Sequence, residues 1–100
     1  MPVRAARAAF DTGPWPRLPV ADRLDAVRRL ADVYDTHLDE MADLITAEMG
    51  SPASFSRLGQ AAGAATMMRL TLADAEAFPW QERRRGLLGE VHLRRQPVGV

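Results

Sequence analysis

Only one stretch of this chain has the rhythm of a β-strand, and it stands at the end. Gly89-Glu90-Val91-His92-Leu93-Arg94-Arg95 alternates apolar and polar side chains, the pattern of a half-buried strand. It runs through Gln96-Pro97 into Val98-Gly99-Val100. A lone strand leaves its backbone donors and acceptors unpaired, and even a two-stranded hairpin is marginal in water. The strand is therefore expected either to dock on another chain or to belong to the front part of something longer.

Every other periodicity is helical. Val3 to Phe10 places Val3, Ala6 and Phe10 on one face and Arg4 and Arg7 on the other, a short amphipathic helix. Asp11-Thr12-Gly13-Pro14-Trp15-Pro16 reads as a turn with an aromatic anchor between prolines. Pro19 suits the first position of a second helix, where its missing N–H costs nothing, and Asp22 sits near the positive end of the dipole. Leu24, Val27, Ala31, Tyr34, Leu38, Met41 and Ile45 then recur in steps of three and four, with Leu30 and Leu44 widening the stripe. Leu30, Leu38 and Ile45 are expected to be buried in the mature protein, and Arg28 to lie on the opposite face. Asp35-Thr36 are poor interior residues, and Thr36 with Asp39 resembles a capping arrangement, so two helices are expected, Pro19–Asp35 and His37–Met49, with a break between them. Gly50 suits the C′ position and Pro52 prevents continuation. A further helix starts near Ser54 or Ser56 and runs to Phe78, where Pro79 stops it. Its expected buried stripe is Leu58, Ala61, Ala65, Met68, Leu72 and Ala75. Trp80 to Gly86 is expected to be a loop carrying Arg83-Arg84-Arg85. The fold class is thus mainly α, three to four helices with one C-terminal β-strand.

Composition narrows the function classes. Thirteen arginines balance thirteen carboxylates, and lysine, asparagine and cysteine are absent. A neutral chain has no global field to gather nucleic acid or acidic lipid, so neither is expected as a partner. The exclusive use of arginine, with abundant alanine, reads as codon bias in a GC-rich genome. Without cysteine this stretch has no thiol nucleophile and no disulfide framework. His37 and His92 lie far apart in sequence, and a metal site is not expected. No apolar run approaches the roughly 20 residues of a membrane span, and no signal-peptide core is visible. The Arg/Ala-rich opening reads as a first helix rather than a transit peptide. A cytoplasmic location is the expectation.

No constellation suited to catalysis emerges. Asp22, Asp25, Asp32, Asp39, Glu40 and Asp43 fall on helix faces that should be wet, and a carboxylate needs burial or a like charge to become a general acid or base near neutrality. Ser51, Ser54 and Ser56 have no neighbouring histidine and suit caps and turns. His37 stands beside a helix start, and His92 shares a strand face with Arg94, where a cross-strand contact is expected. Trp15 and Trp80 should pin loops onto helices. Gly59-x-x-x-Gly63 lacks the preceding strand and the Lys-Ser/Thr of a phosphate loop and reads as a helix-packing feature. Arg83 to Arg85 reads as a solvated charge run. Catalytic, cofactor-binding and metal residues are each expected to number none.

Taken in order, however, several short stretches resemble one family. Ala5-Ala6-Arg7-Ala8-Ala9-Phe10-Asp11-Thr12-Gly13-Pro14-Trp15 opens the series, followed by Leu18-Pro19-Val20-Ala21-Asp22-Arg23. Arg28-Arg29-Leu30-Ala31-Asp32 and Asp39-Glu40-Met41-Ala42-Asp43-Leu44 come next, then Glu48-Met49-Gly50-Ser51-Pro52 and Arg95-Gln96-Pro97-Val98-Gly99-Val100. In this order and spacing, over essentially the whole chain, they resemble the N-terminal segment of the NAD(P)-dependent aldehyde dehydrogenase superfamily. Ser51 departs from that family's usual lysine. Gln60 stands where some members have an aspartate near a monovalent-cation site, so that site is not carried over.

The resemblance implies the helical N-terminal part of an α/β, Rossmann-like fold. Residues 1–88 would belong to the cofactor-binding domain, and 89–100 would start a β oligomerisation arm. The remainder of the cofactor-binding domain and the catalytic domain would lie beyond Val100. There the resemblance places a nucleophilic cysteine, a general-base glutamate and the glycine motif for NAD or NADP, which together oxidise an aldehyde to a carboxylic acid. The segment itself would be structural and inactive alone. Its partners would be the rest of the chain and, through the Gly89–Val100 strand, further copies of the same protein. The competing reading is a free-standing, non-enzymatic helical interaction module. An in-frame coding sequence past Val100 favours the first and a natural stop codon the second.

Overall fold

The computed structural model describes residues 2–99 and is mostly helical, with a two-stranded antiparallel sheet. Those residues divide into two compact units, one of Ala21–Glu76 and one made of the two chain ends, up to Val20 and from Ala77.

Four helical rods account for the helix. Helix α1 spans Pro2–Thr12 and is followed by a 3-10 turn at Trp15–Arg17, so the expected Asp11–Pro16 turn starts two residues late. Helix α2 spans Val20–Thr36 and α3 spans Leu38–Met49, with the expected break falling on His37. The expected Thr36–Asp39 cap does not form. The Thr36 hydroxyl instead donates backwards to the Val33 carbonyl at 2.7 Å, closing α2. The His37 N–H bonds the Tyr34 carbonyl at 2.9 Å, and the His37 carbonyl accepts from Met41 at 2.9 Å, which starts α3. Gly50 ends α3 with φ 70°, a left-handed conformation that glycine adopts without a Cβ penalty.

The fourth rod covers 53–77 without interruption but is not one regular helix. A short α turn, α4 (Ala53–Phe55), leads into a π segment, Ser56–Ala61, and then into α5, Ala62–Ala77. A π turn closes i→i+5 and so holds one residue more than an α turn. Ser56 and Ala61, five apart, therefore lie on the same face, and both are fully buried. From Ala61 the stripe continues at α spacing through Ala65 and Leu72. The expected burial of Ala61, Ala65 and Leu72 is observed, with Met68 and Ala75 half-buried. That of Leu58 is not: it is 74% exposed, because the extra residue turns the rod out of α phase ahead of Ala61.

The core of the helical unit is a narrow seam of small side chains. Ala31, Ala42, Ser56, Ala61, Ala65 and Leu72 are buried, and Leu72 is the one large residue among them. Polar bonds frame the seam. The Tyr34 hydroxyl donates to the Ala61 carbonyl at 3.2 Å, and the Thr46 hydroxyl donates to Ser56 Oγ at 2.8 Å. Arg69 bridges Asp32 and Asp35, which raises its own pKa through the hydrogen bond to Asp35 first and to Asp32 second. Arg28 reaches Asp25 and Glu76. Within the described residues Leu30 is 58% exposed, and Leu38 and Ile45 are half-buried. The apolar stripe in the sequence is broader than the seam that these residues can cover, so its margins, Leu30, Val33 and Leu44 among them, face outward.

The C-terminal strand is not alone. Strand β1, Gln81–Gly86, pairs antiparallel with β2, Gly89–Arg94, so the expected loop at Arg83-Arg84-Arg85 is a strand. A strand in a small open sheet keeps side chains wet on both faces, and charge is what such strands carry to avoid further pairing. The tight loop is Leu87-Leu88. Two-residue hairpin loops usually need positive φ at their central residues. Here no described non-glycine residue has one, and Gly89 takes it instead at φ 131°.

Candidate functional site

The hairpin is where the most side-chain chemistry converges. Alternation along paired strands assigns its faces. Glu82 opposite Leu93 and Arg84 opposite Val91 share one face, while Gln81 opposite Arg94, Arg83 opposite His92 and Arg85 opposite Glu90 share the other.

At the base of the first face stands a clamp that sequence reasoning missed. The Arg95 guanidinium lies 4.8 Å from the centre of the Phe78 ring, donates to the Pro79 carbonyl and donates to Glu82 Oε1 at 3.0 Å. Its backbone N–H bonds the Trp80 carbonyl at 3.2 Å, one rung beyond the strands. Trp80 meets Phe78 edge-on, with centroids 4.8 Å apart and planes at 64°. Glu82 Oε2 accepts from Arg84 at 3.0 and 2.7 Å, so one carboxylate is held between two guanidiniums. Arg84 first and Arg95 second hold the Glu82 carboxyl below its ordinary range. The available signal was the Glu82–Arg84 spacing of two, which puts both on one strand face, but it is legible only once the stretch is known to be a strand.

A depressed carboxyl pKa adds stability above the unfolded-state value, and that stability is lost as pH falls through the folded value. Acidification below about pH 4 is therefore expected to loosen the hairpin base. The resonance of the Trp80 indole should report it, moving in the intact chain and losing that acid step in Glu82→Gln. An unchanged step in the variant would assign it to another group.

On the second face, His92 Nε2 lies 3.2 Å from Glu90 Oε1, and Arg83 Nε lies 3.4 Å from the same oxygen. His92 thus shares the face of Arg94 as expected, but its contact runs along its own strand as well as facing Arg83. The remaining residues singled out from the sequence are scattered. Exposed His37 pairs with Glu40, Nδ1 to Oε2 at 2.8 Å. Asp22, Asp25, Asp32, Asp39, Glu40 and Asp43 are all exposed as expected, and Asp39 pairs with Arg57 at 2.9 Å. Ser56 is buried against Thr46, whereas Ser51 is half-buried and Ser54 exposed. Trp15 is largely exposed in its 3-10 turn. Gln60 buries its Oε1 without a hydrogen-bond partner.

No group of three histidine or acidic side chains among the described residues is arranged to hold a metal ion. The glycine pair does not form a dinucleotide cradle either. Gly59 lies inside the π segment, where a Cβ would come within 2.6 Å of the Phe55 ring, so its small size accommodates Phe55 rather than a phosphate. Gly63 faces open space. These residues hold and orient strands and helices.

Comparison with known proteins agrees over nearly the whole chain. The model of the aldehyde dehydrogenase family matches residues 2–100. Aldehyde dehydrogenase family 2 member B4, mitochondrial, from Arabidopsis thaliana is 32% identical over 98% of this chain and 18% of its own length. The 3-succinoylsemialdehyde-pyridine dehydrogenase of Pseudomonas sp is 35% identical over 98% of this chain and 20% of its own. A solved Mycobacterium tuberculosis aldehyde dehydrogenase, complexed with NAD+, superposes with a TM-score of 0.87 and 32% identity over 96% of this chain and 20% of that one. The chain thus spans about a fifth of the length of the relatives it matches.

Proposed function

The chain belongs to the aldehyde dehydrogenase family, and on that premise we propose that it serves as the N-terminal portion of an enzyme that oxidises an aldehyde to a carboxylic acid with NAD+ or NADP+. The carrying observation is the family match over residues 2–100 by a chain equal to about a fifth of its relatives. Hydride acceptance is the chemistry that the nicotinamide cofactor supplies in such an enzyme. No residue of this chain is assigned to it, nor to catalysis or a metal.

The role proposed for these residues is structural. Their helices form one side of a larger cofactor-binding domain. Leu30 and Val33, one turn apart on α2, and Met67 and Leu70, one turn apart on α5, are more than half exposed. Apolar patches of this kind suit a surface that further polypeptide covers. The arm proposed from residue 89 is better begun at Gln81, since β1 and β2 form one hairpin. A homo-oligomer formed through the Gly89–Val100 strand, and no partnership with nucleic acid or membrane, complete the proposal. No helix among the described residues is long and apolar enough to cross a membrane, and a cytoplasmic site of action is proposed.

The test is to express the gene in its natural length and, separately, residues 1–100. The natural product is expected to reduce NAD+ or NADP+ in the presence of an aldehyde, and the 100 residues to show no such rate. Aldehyde-dependent reduction by residues 1–100 alone would overturn the structural role. A natural product with no dehydrogenase activity towards any of a panel of aliphatic and aromatic aldehydes would overturn the enzymatic one.

A further inference from the structure

Helix α1 is too short and too exposed to stand on its own residues. It has 11 residues, none of them buried, with no carboxylate in its first turn and no cation in its last. Isolated helices shorter than about 12–15 residues are marginal in water, and α1 forgoes the end charges that favour a helix dipole. Its local bonds close its C-terminal end. The Thr12 hydroxyl donates to the Ala8 carbonyl at 2.8 Å, and the Gly13 N–H donates to the Ala9 carbonyl at 2.9 Å. The Arg17 guanidinium donates to the carbonyls of Asp11 and Gly13, the groups that a helix leaves without partners. All of these partners precede Leu18, so they join α1 to nothing distant.

The tie to a distant segment is Phe10, which is half-buried. Its ring lies against Gly99, where a Cβ would come within 2.7 Å of Cδ1 and 2.9 Å of Cε1 and Cγ. Gly99 also has φ 85°, in the left-handed region that side chains disfavour. Shape and backbone thus both call for glycine. The Arg7 guanidinium stands over the same ring, 5.2 Å from its centre. Phe10 and Gly99 fall in one compact unit.

The tail that carries Gly99 is as marginal as the helix. Strand β2 ends at Arg94, the Arg95 N–H adds one bond to the Trp80 carbonyl, and residues 96–99 have no regular secondary structure. Glycine loses more conformational freedom on ordering than any other residue. Holding Gly99 at positive φ therefore needs a contact to offset that loss, and the Phe10 ring supplies one.

We propose that α1 is a strap that closes on the tail, helix and tail ordering each other through the Phe10–Gly99 contact. Removing either partner releases the other, while the helical unit Ala21–Glu76 and the hairpin stay closed. Such a segment is a local unit at the low end of the stability range. In the open state Arg4 and Arg7, both exposed, lie on unfolded backbone that a protease can bind. The strap is a property of these residues and holds whether or not the enzymatic reading does.

The experiment is amide hydrogen exchange on the gene product in its natural length, read by mass spectrometry. Phe10→Ala and Gly99→Ala are each expected to speed exchange over residues 5–12 by about tenfold or more, with α5 unchanged. Trypsin should then cut after Arg4 and Arg7 sooner than in the parent. Phe10→Ala should also speed exchange at Val98 and Gly99, which a helix frayed by itself would not do. The double variant should exchange no faster than the faster single one, because the two changes break one contact. Val98→Ala, at a side chain that is 90% exposed, should leave α1 as it was. Unchanged exchange over residues 5–12 in Gly99→Ala overturns the strap. So does a double variant whose acceleration is the product of the two single ones, which would make the sites independent. Acceleration shared equally by α5 also overturns it, since the opening would then be global.

Discussion

Replacing Leu72 by alanine is expected to destabilise the helical unit by about 2–5 kcal/mol, the range for truncating a buried leucine. Leu72 is 6% exposed and is the one large side chain in a seam otherwise made of alanines and a serine. The cost combines the lost transfer energy with a term for the cavity left behind. Leu30→Ala removes the same atoms from a side chain that is 58% exposed, and its cost in residues 1–100 should stay within about 0.5 kcal/mol. Urea denaturation of both variants checks the contrast through the shift in midpoint at constant m. Equal losses would mean that the seam is wider than described. The same pair also probes the proposed longer protein. If further polypeptide covers α2 there, Leu30→Ala becomes costly in the natural product while remaining cheap in residues 1–100.

That contrast marks how far periodicity could be read. Breaks and ends were legible because they are local. Pro19, the Asp35-Thr36 pair, Gly50 with Pro52, and Pro79 each limit a helix through their own backbone chemistry, and the elements end within a residue or two of them. The breadth of burial was not local. A wide apolar stripe says that a helix has a face to bury, not how much covering surface is at hand, and here the described residues cover only the seam. Strand β1 escaped for another reason. Arg83-Arg84-Arg85 has no alternation of its own, and its pairing is dictated by β2 through backbone hydrogen bonds that side-chain pattern does not record. The Glu82–Arg95 clamp was hidden with it, since it exists only once the hairpin brings residues thirteen apart within 3.0 Å. The absence of cysteine and the series of short family-like stretches were legible throughout, being properties of composition and order.

The π segment yields the second large effect, because it reverses what an α-helical stripe would assign to two residues. Carrying α spacing back from Ala61 buries Leu58 and leaves Ser56 outside. The observed rod does the opposite, with Ser56 fully buried and Leu58 74% exposed. Ser56→Leu must therefore insert three further heavy atoms into a closed site and remove the oxygen that accepts the Thr46 hydroxyl at 2.8 Å. Overpacking typically costs 1–3 kcal/mol, and a stranded buried hydroxyl adds roughly 1–3 more. A total loss of about 2–6 kcal/mol is expected, or a chain that no longer melts cooperatively. Ser56→Ala separates the two terms, keeping the hydrogen-bond loss without the added bulk, and should fall near the lower figure. Leu58→Ser, which exchanges an exposed leucine for a polar residue, should move stability by no more than about 0.5 kcal/mol. Thermal melts of the three variants, followed by helix ellipticity, decide the matter. Should Leu58→Ser prove the damaging change and Ser56→Leu the silent one, residues 56–61 form an ordinary α turn and the core is the stripe that the sequence spacing suggests.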